Sequence, residues 1–437
     1  MTDLFAARSQ MGMSLAFHIL FAVAGIGMPV LMVLSERMWL KTKQEVYLEL
    51  TKRWARGTAI LFAVGAVSGT VLSFELGLLW PGFMKYAGAI IGMPFSLEGF
   101  AFFMEAIFLG LYLYGWDRLS PKTHWLTGVL VAFSGMISGI FVVTANAWMN
   151  APAGFVMADG HAADIRPFAA MFNAAAFSQT LHMTIAAYLA TGAAVTGIHA
   201  LMLLRDPDNA FHRAALRIAL PMLIVSAILQ PFSGDISARD IAHRQPEKFA
   251  AMEGLFKTER GAPFHIGGIP DPETKTVNYS IEIPKLLSLM TYRDVNAEVK
   301  GLDAFPRGEW PNPVVVHIAF QIMIGCGIAL MAVGIIAAVR WRRRKTLPAQ
   351  PGLLRAYVAI SPLGFIAVEA GWFVTEVGRQ PWIIYRVMRT ADAVTPMPWL
   401  VVPFLTFSAI YLFLSVIVTM LLWWQVLSSP TQYRRKA

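Results

Sequence analysis

Charge is scarce in this chain: Asp, Glu, Lys and Arg make up 14% of its 437 residues, where a soluble globular domain carries about 25%. With 56% hydrophobic residues and a mean hydropathy of +0.55, that scarcity excludes an ordinary soluble fold. Cysteine is nearly missing. Cys326 stands alone inside an apolar run, which removes a disulfide framework and a cysteine metal cluster. No basic segment precedes the first apolar run, which is itself long enough to span, so a cleavable signal peptide is not expected. No Gly-x-Gly-x-x-Gly after a strand, no phosphate loop and no Ser-His-Asp arrangement is present, so soluble cofactor-binding and hydrolase readings have no support. Internal repeats and low-complexity tracts are lacking too. The net charge of +9 does not point to nucleic acid. Lys and Arg fall between apolar segments, where such clusters set membrane orientation.

What the chain has is apolar runs of spanning length, at 9–35, 57–80, 94–116, 124–148, 178–204, 215–232, 313–340, 353–376 and 400–426. They predict an all-α polytopic membrane bundle of about nine transmembrane helices. The connections alternate in charge. Arg37, Lys41, Lys43, Lys52, Arg53 and Arg56 lie between the first two runs, whereas the next connection holds only Lys85. Arg340, Arg342, Arg343, Arg344 and Lys345 join the seventh and eighth runs, and the tail ends Arg434-Arg-Lys436. The cation-rich side is the cytoplasmic one, so the N-terminus is expected outside and the C-terminus inside. Residues 233–312 form a long, polar, Pro- and Gly-containing outer loop, between helices one to six (1–232) and seven to nine (313–437). A loop of that length inside a compact protein is expected to carry function.

The few polar residues within the runs are the candidates for chemistry. His18, Glu98, Glu105, His182, Met323, Glu369 and Glu376 all stand in or at the edge of apolar sequence. Glu98 and Glu105 are seven residues apart, as are Glu369 and Glu376. Two helical turns place each pair on one face about 10 Å apart. An ionisable group in hydrocarbon costs roughly 2.5–3.5 kcal/mol on insertion scales, so each requires a partner or a task. Singly, each has an ordinary reading: a His bonded to a neighbouring helix, a Met filling a gap, a Glu paired with Arg379, Ser134, Ser138 or Asn146. Together, the expected topology gathers His18, Met323, His182, Glu98 and Glu376 in the outer half of the membrane. Haem iron accepts His, Met or anionic oxygen ligands, and a His/Met pair makes a low-spin centre.

The motifs Glu376 with Gly378-Arg-Gln-Pro-Trp382, Trp116-Asp-Arg-Leu119 and Ala145-Asn-Ala-Trp-Met149 make the chain resemble subunit I of the cytochrome bd quinol oxidases over essentially its whole length. The resemblance implies a haem-bearing subunit of a terminal quinol:oxygen oxidoreductase in the bacterial cytoplasmic (inner) membrane. By the matching motifs, His18 and Glu376 resemble axial ligands of the two high-spin haems, a haem b and a haem d. His182 and Met323 resemble the pair that holds low-spin haem b, with Trp372 and Gln321 among the cofactor-binding positions. Glu98 and Glu105, with Glu376 and Arg379, resemble the catalytic group at the oxygen site and its proton entry. Lys248-Phe-Ala-Ala-Met-Glu253 resembles the motif that contacts quinol, which implies Lys248 and Glu253 as substrate residues, in a loop away from the intramembrane ligands.

Three departures bear on these implications. The acidic pair is spaced at seven rather than eight residues, which keeps one face. Gln321 stands where many members have Arg two residues before the ligating Met, which removes a cation from the low-spin site. The loop lacks a C-terminal insertion, a feature shared with the cyanide-insensitive branch, in which haem b can replace haem d. The implied partners are a second subunit, a small single-helix subunit, ubiquinol or menaquinol, O2 and the lipid bilayer. Two other readings of the same residues are a proton-coupled transporter and a cytochrome b that only passes electrons. The first would show an inverted repeat and paired broken helices, which this sequence lacks.

Overall fold

Apolar length and helix punctuation together account for the order of elements. A computed structural model describes residues 2–158 and 161–426. The cationic end Arg434-Arg-Lys436 lies outside the described residues. The helices run α1 (Asp3–Thr42), α2 (Glu45–Leu79), α3 (Pro81–Tyr114), α4 (Pro121–Asn150), α5 (Pro167–Met171), α6 (Ala176–Arg205), α7 (Ala210–Arg244) and α8 (Pro246–Glu253). They continue as α9 (Leu286–Tyr292), α10 (Pro313–Arg344), α11 (Pro351–Ile360), α12 (Leu363–Val377), α13 (Thr390–Ala393) and α14 (Val401–Val426). Among the described residues nine segments are long and apolar enough to cross a membrane, with α11 and α12 together forming the eighth. Several start at a Pro, where the missing N–H loses nothing. Large apolar side chains such as Phe74, Phe100, Phe103, Leu412 and Trp424 face outward, as lipid contact requires.

Two boundaries differ from expectation. The sixth span does not stop at residue 232: α7 continues to Arg244, so the outer loop begins at 245. Its polar end lacks an apolar signal, but Asp235 pairs with Arg239 and Asp240 with Arg244, one turn apart, which supports a helix beyond the hydrocarbon. The eighth span is broken at Ser361-Pro362, because Pro362 cannot donate to the ladder and crowds the preceding turn.

The outer loop is ordered rather than structureless. Antiparallel pairs join 259–260 to 298–299, 264–266 to 281–283 and 269–271 to 276–278, and α8 is buried along its length. Phe249, Leu255, Ala262, Leu287 and Val299 pack with Ala242 of α7. The loop therefore has a small core of its own, continuous with the bundle.

Helix contacts within the bundle use small residues, which let backbones approach where no hydrophobic force separates protein from lipid. A Cβ added at Gly364 of α12 would lie 2.4 Å from Ala190 Cα of α6. Gly364→Leu is therefore expected to lower stability by about 1–3 kcal/mol through overpacking, read as a lower Tm in detergent. Gly325→Ala on α10, where a Cβ meets nothing within 4 Å, is expected to leave Tm at or slightly above its original value.

Candidate functional site

His18, Glu98 and Glu105 come together around one cavity. It lies among α1, α2, α3 and α4 and is also lined by Phe102, Gly135 and Ser138. His18 Nδ1 lies 2.9 Å from Ser68 Oγ. The Ser68 hydroxyl donates to Val64 and Gly65 carbonyls at 2.8 and 3.1 Å, so towards His18 it accepts. That fixes the proton on Nδ1 and leaves the Nε2 lone pair free, the tautomer a metal ligand needs. Gly69 lets the ring lie against α2, since a Cβ there would be 3.1 Å from His18 Cε1.

The two carboxylates of α3 are treated differently. Glu98 accepts from Ser138 at 3.2 Å. Glu105 is only 6% exposed and lies against Gly135, whose added Cβ would be 3.0 Å from its Oε1. Of the three polar side chains of α4 that could reach Glu105, Ser138 bonds Glu98 and Asn146 bonds Glu376. Among the described residues neither these nor Ser134 forms a hydrogen bond to Glu105.

His182 and Met323 stand on α6 and α10, helices that both pack on α7 and on α12. His182 Nδ1 is 3.1 Å from Ser233 Oγ, which itself donates to the Gln230 carbonyl at 2.9 Å. The logic is that of His18: a serine on the next helix holds one ring nitrogen. The Gln230 amide lies 3.2 Å from His182 Nε2, and its Oε1 is buried without a partner. Met323 Sδ reaches α12 at Gly371, where a Cβ would stand 2.9 Å from the sulfur.

At the C-terminal end of α12, Glu376 accepts from Asn146 at 2.5 Å and pairs with Arg379. Arg379 is buried, yet its Nε and Nη1 have no partner. A buried guanidinium with two idle donors calls for a further acceptor, and a cofactor carboxylate meets that need. Trp372 beside this turn packs on Phe373 and approaches Gly12 of α1.

Three expected placements change. Lys248 is not on the loop surface away from the ligands: it is 2% exposed, with Nζ 2.8 Å from Asn150 Oδ1 and 2.9 Å from Gln245 Oε1. Its stem crosses Gly378, where a Cβ would meet Lys248 Cε at 2.8 Å. Burial and then the Arg379 charge push the Lys248 amine down to about 7. Glu253 is also buried, with Oε2 unpartnered, and burial pushes its carboxyl up to about 8. Gln321 has both ends of its amide engaged by the loop: Oε1 accepts from Gly267 N at 3.0 Å and Nε2 donates to His265 O at 3.0 Å. It fastens α10 to the loop strand 264–266 and the residue after it.

Other polar clusters escaped the sequence reading. Glu36 accepts from Tyr112 at 2.6 Å and meets His124 Nδ1 at 2.7 Å. Glu75 accepts from Gln10 and Ser14 at 3.0 and 2.9 Å. Tyr112 follows Glu105 by seven residues and Glu75 follows Ser68 by seven, a periodic signal that was available. As a donor set, two serine-anchored imidazoles, a thioether on a glycine and a carboxylate beside an under-used guanidinium fit haem ligation.

Comparison with known proteins agrees. The family model described as cytochrome bd terminal oxidase subunit I matches residues 6–430. A putative cytochrome bd menaquinol oxidase subunit I of Bacillus subtilis (strain 168) is 37% identical over 427 residues, covering 97% of this chain and 96% of the relative. A cytochrome bd-II ubiquinol oxidase subunit 1 of Escherichia coli (strain K12) is 29% identical over 458 residues, covering 89% and 88%. The structure of bd oxidase from Geobacillus thermodenitrificans superposes with a TM-score of 0.92 at 34% identity, covering 98% of this chain and 99% of that one. The chain belongs to the cytochrome bd terminal oxidase subunit I family, multi-pass inner-membrane proteins of respiratory electron transport.

Proposed function

We propose that this chain is the catalytic subunit of a quinol:oxygen oxidoreductase, assembled with a second subunit and a small single-helix subunit. In this reading His18 and Glu376 hold the high-spin haems, one a haem b and the other a haem d or a haem b, and His182 and Met323 hold low-spin haem b. When bound, these groups supply electron transfer from quinol and the reduction of O2 to water. The observation that carries the reading is the cavity that gathers His18, Glu98 and Glu105.

The protein's own residues divide the remaining work. Ser68 and Ser233 hold and aim the two imidazoles. Asn146 and Arg379 both donate to Glu376 and aim it. Glu105, free of protein partners, takes protons from the cation-rich side, read as cytoplasmic, and Glu98 on the same helix face passes them outward. Ubiquinol or menaquinol is oxidised at the outer face, where Lys248 and Glu253 carry groups that exchange protons near neutral pH. With electrons and protons arriving from opposite sides, each charge moved stores about 2.3 kcal/mol per 100 mV without a pump.

Three outcomes follow. His182→Ala and Met323→Leu are each expected to abolish the low-spin haem b signal in a reduced-minus-oxidised spectrum with haem extraction. An intact signal in either variant refutes the ligand pair. Glu105→Gln is expected to keep the low-spin spectrum and lower oxygen uptake by on the order of 10²-fold, the scale of a lost proton-transfer group. Potential formation in proteoliposomes should fall with it. Near-normal turnover leaves Glu105 a structural residue.

Glu253 gives a pH test of the buried outer helix. Its folded-state pKa, raised from 4.5 to about 8, means that the folded chain keeps a proton the unfolded chain releases. That contribution is full below pH 4.5 and lost as pH rises through about 8, so stability declines across the window. Glu253→Gln is expected to flatten the decline of Tm between these values. An unchanged slope contradicts the assignment.

A further inference from the structure

The last turn of α4 carries two asparagines whose amides form a directed line. Lys248 Nζ donates to Asn150 Oδ1 at 2.8 Å, Asn150 Nδ2 donates to Asn146 Oδ1 at 3.1 Å, and Asn146 Nδ2 donates to Glu376 Oε1 at 2.5 Å. The orientation of both amides is set by their partners. Asn150 Nδ2 is taken by the Asn146 oxygens, so Asn150 turns its Oδ1 to Lys248; a carboxylate can only accept, so Asn146 must turn its nitrogen to Glu376. All dipoles therefore point one way, from the Lys248 amine on α8 to the Glu376 carboxylate on α12. Lys248 and Asn150 are buried and Asn146 is half-buried, so water does little to screen the line.

The surroundings hold it in register. Asn150 Nδ2 also donates to the Asn146 carbonyl at 3.0 Å, and Gln245 Nε2 donates to the Asn150 carbonyl at 3.2 Å. Tyr385 N donates to Met149 O at 2.9 Å, and the Tyr385 hydroxyl donates to Glu247 at 2.7 Å. Lys248 runs across Gly378, a contact that only a residue without Cβ permits. The ends of α4 and α12 and the whole of α8 thus form one hydrogen-bonded block.

We infer that Asn146 and Asn150 are positioning residues that connect Lys248 to Glu376, so that the outer helix α8 sets how strongly Glu376 donates to the iron it holds. The inference rests on the reading of Glu376 as a haem ligand. Aligned donors in a low-dielectric interior polarise one another, and together they draw electron density from the carboxylate. A carboxylate so depleted stabilises the oxidised metal less. Interrupting the line returns density to Glu376 and favours oxidised iron. The helix assigned to the quinol side thereby acts on a ligand of the oxygen-reducing side, through bonds that carry no electrons.

The test is a redox titration of the assembled oxidase, followed at the high-spin and low-spin haem bands. Lys248→Met, Asn150→Leu and the double variant are compared with the unsubstituted enzyme. Lys248→Met is expected to shift the Glu376-associated haem about tenfold towards the oxidised form, about 59 mV for one electron. Asn150→Leu, close in shape to Asn but without polar atoms, is expected to shift it in the same direction, with the low-spin haem unmoved. Because the contacts are in series, the double variant is expected to shift no further than Lys248→Met alone. If Asn150→Leu does not assemble, Asn150→Ser, too short to span the gap, replaces it in the cycle. Unchanged potentials, or shifts that add in the double variant, overturn the inference. Glu376→Ala separates the two readings. Retention of every haem there refutes the ligand assignment, whereas haem loss there with unchanged potentials in the Asn150 variants refutes only the connection.

Discussion

Hydrocarbon does not solvate charge, and the placement of every carboxylate in this bundle answers to that constraint. Glu36 is closed off by Tyr112 and His124, Glu75 by Gln10 and Ser14, Glu98 by Ser138, and Glu376 by Asn146 and Arg379. All but the local Glu376–Arg379 pair cross between helices, so the bonds that make a carboxylate tolerable also fix the helices that carry it. Glu105 has no such tie, and Glu369 Oε1 is buried and unpartnered.

Close approach is the second device. Gly364 meets Ala190, Gly197 meets Ser361, Gly27 meets Thr191 and Gly371 meets Met323, and three of these four contacts are made by α6. In lipid the gain comes from dispersion and from backbone proximity rather than from expelled water. The small residues therefore decide where α11 and α12 sit, and hence where Glu376 ends.

Legibility followed the range of the forces. The nine spans were readable because apolar length is local, and His18, Glu98, Glu105 and Glu376 were readable because a polar residue in such a run stands out. The break at Pro362 carried a local signal that a continuous apolar count overrides. The extension of α7 to Arg244 did not show, since it is held by pairs of opposite charge and not by hydropathy. Lys248 and Gln321 were misplaced for one reason. Lys248 is bonded to Asn150 and Gln321 to His265 and Gly267, and no spacing in the sequence reports that the loop folds back on the helix ends. Glu36 stands in sequence beside a cationic connection, but its partners lie 76 and 88 residues away.

The unbroken course of α7 has a practical side. The helix that supplies Ser233 and Gln230 to His182 carries Pro221 and Pro231 yet stays helical to Arg244, and this one rod enters the core of the loop through Ala242. Loops exchanged between relatives must therefore be spliced after residue 244. A junction at the apparent membrane edge near 232 would cut the rod one residue before the serine that holds His182.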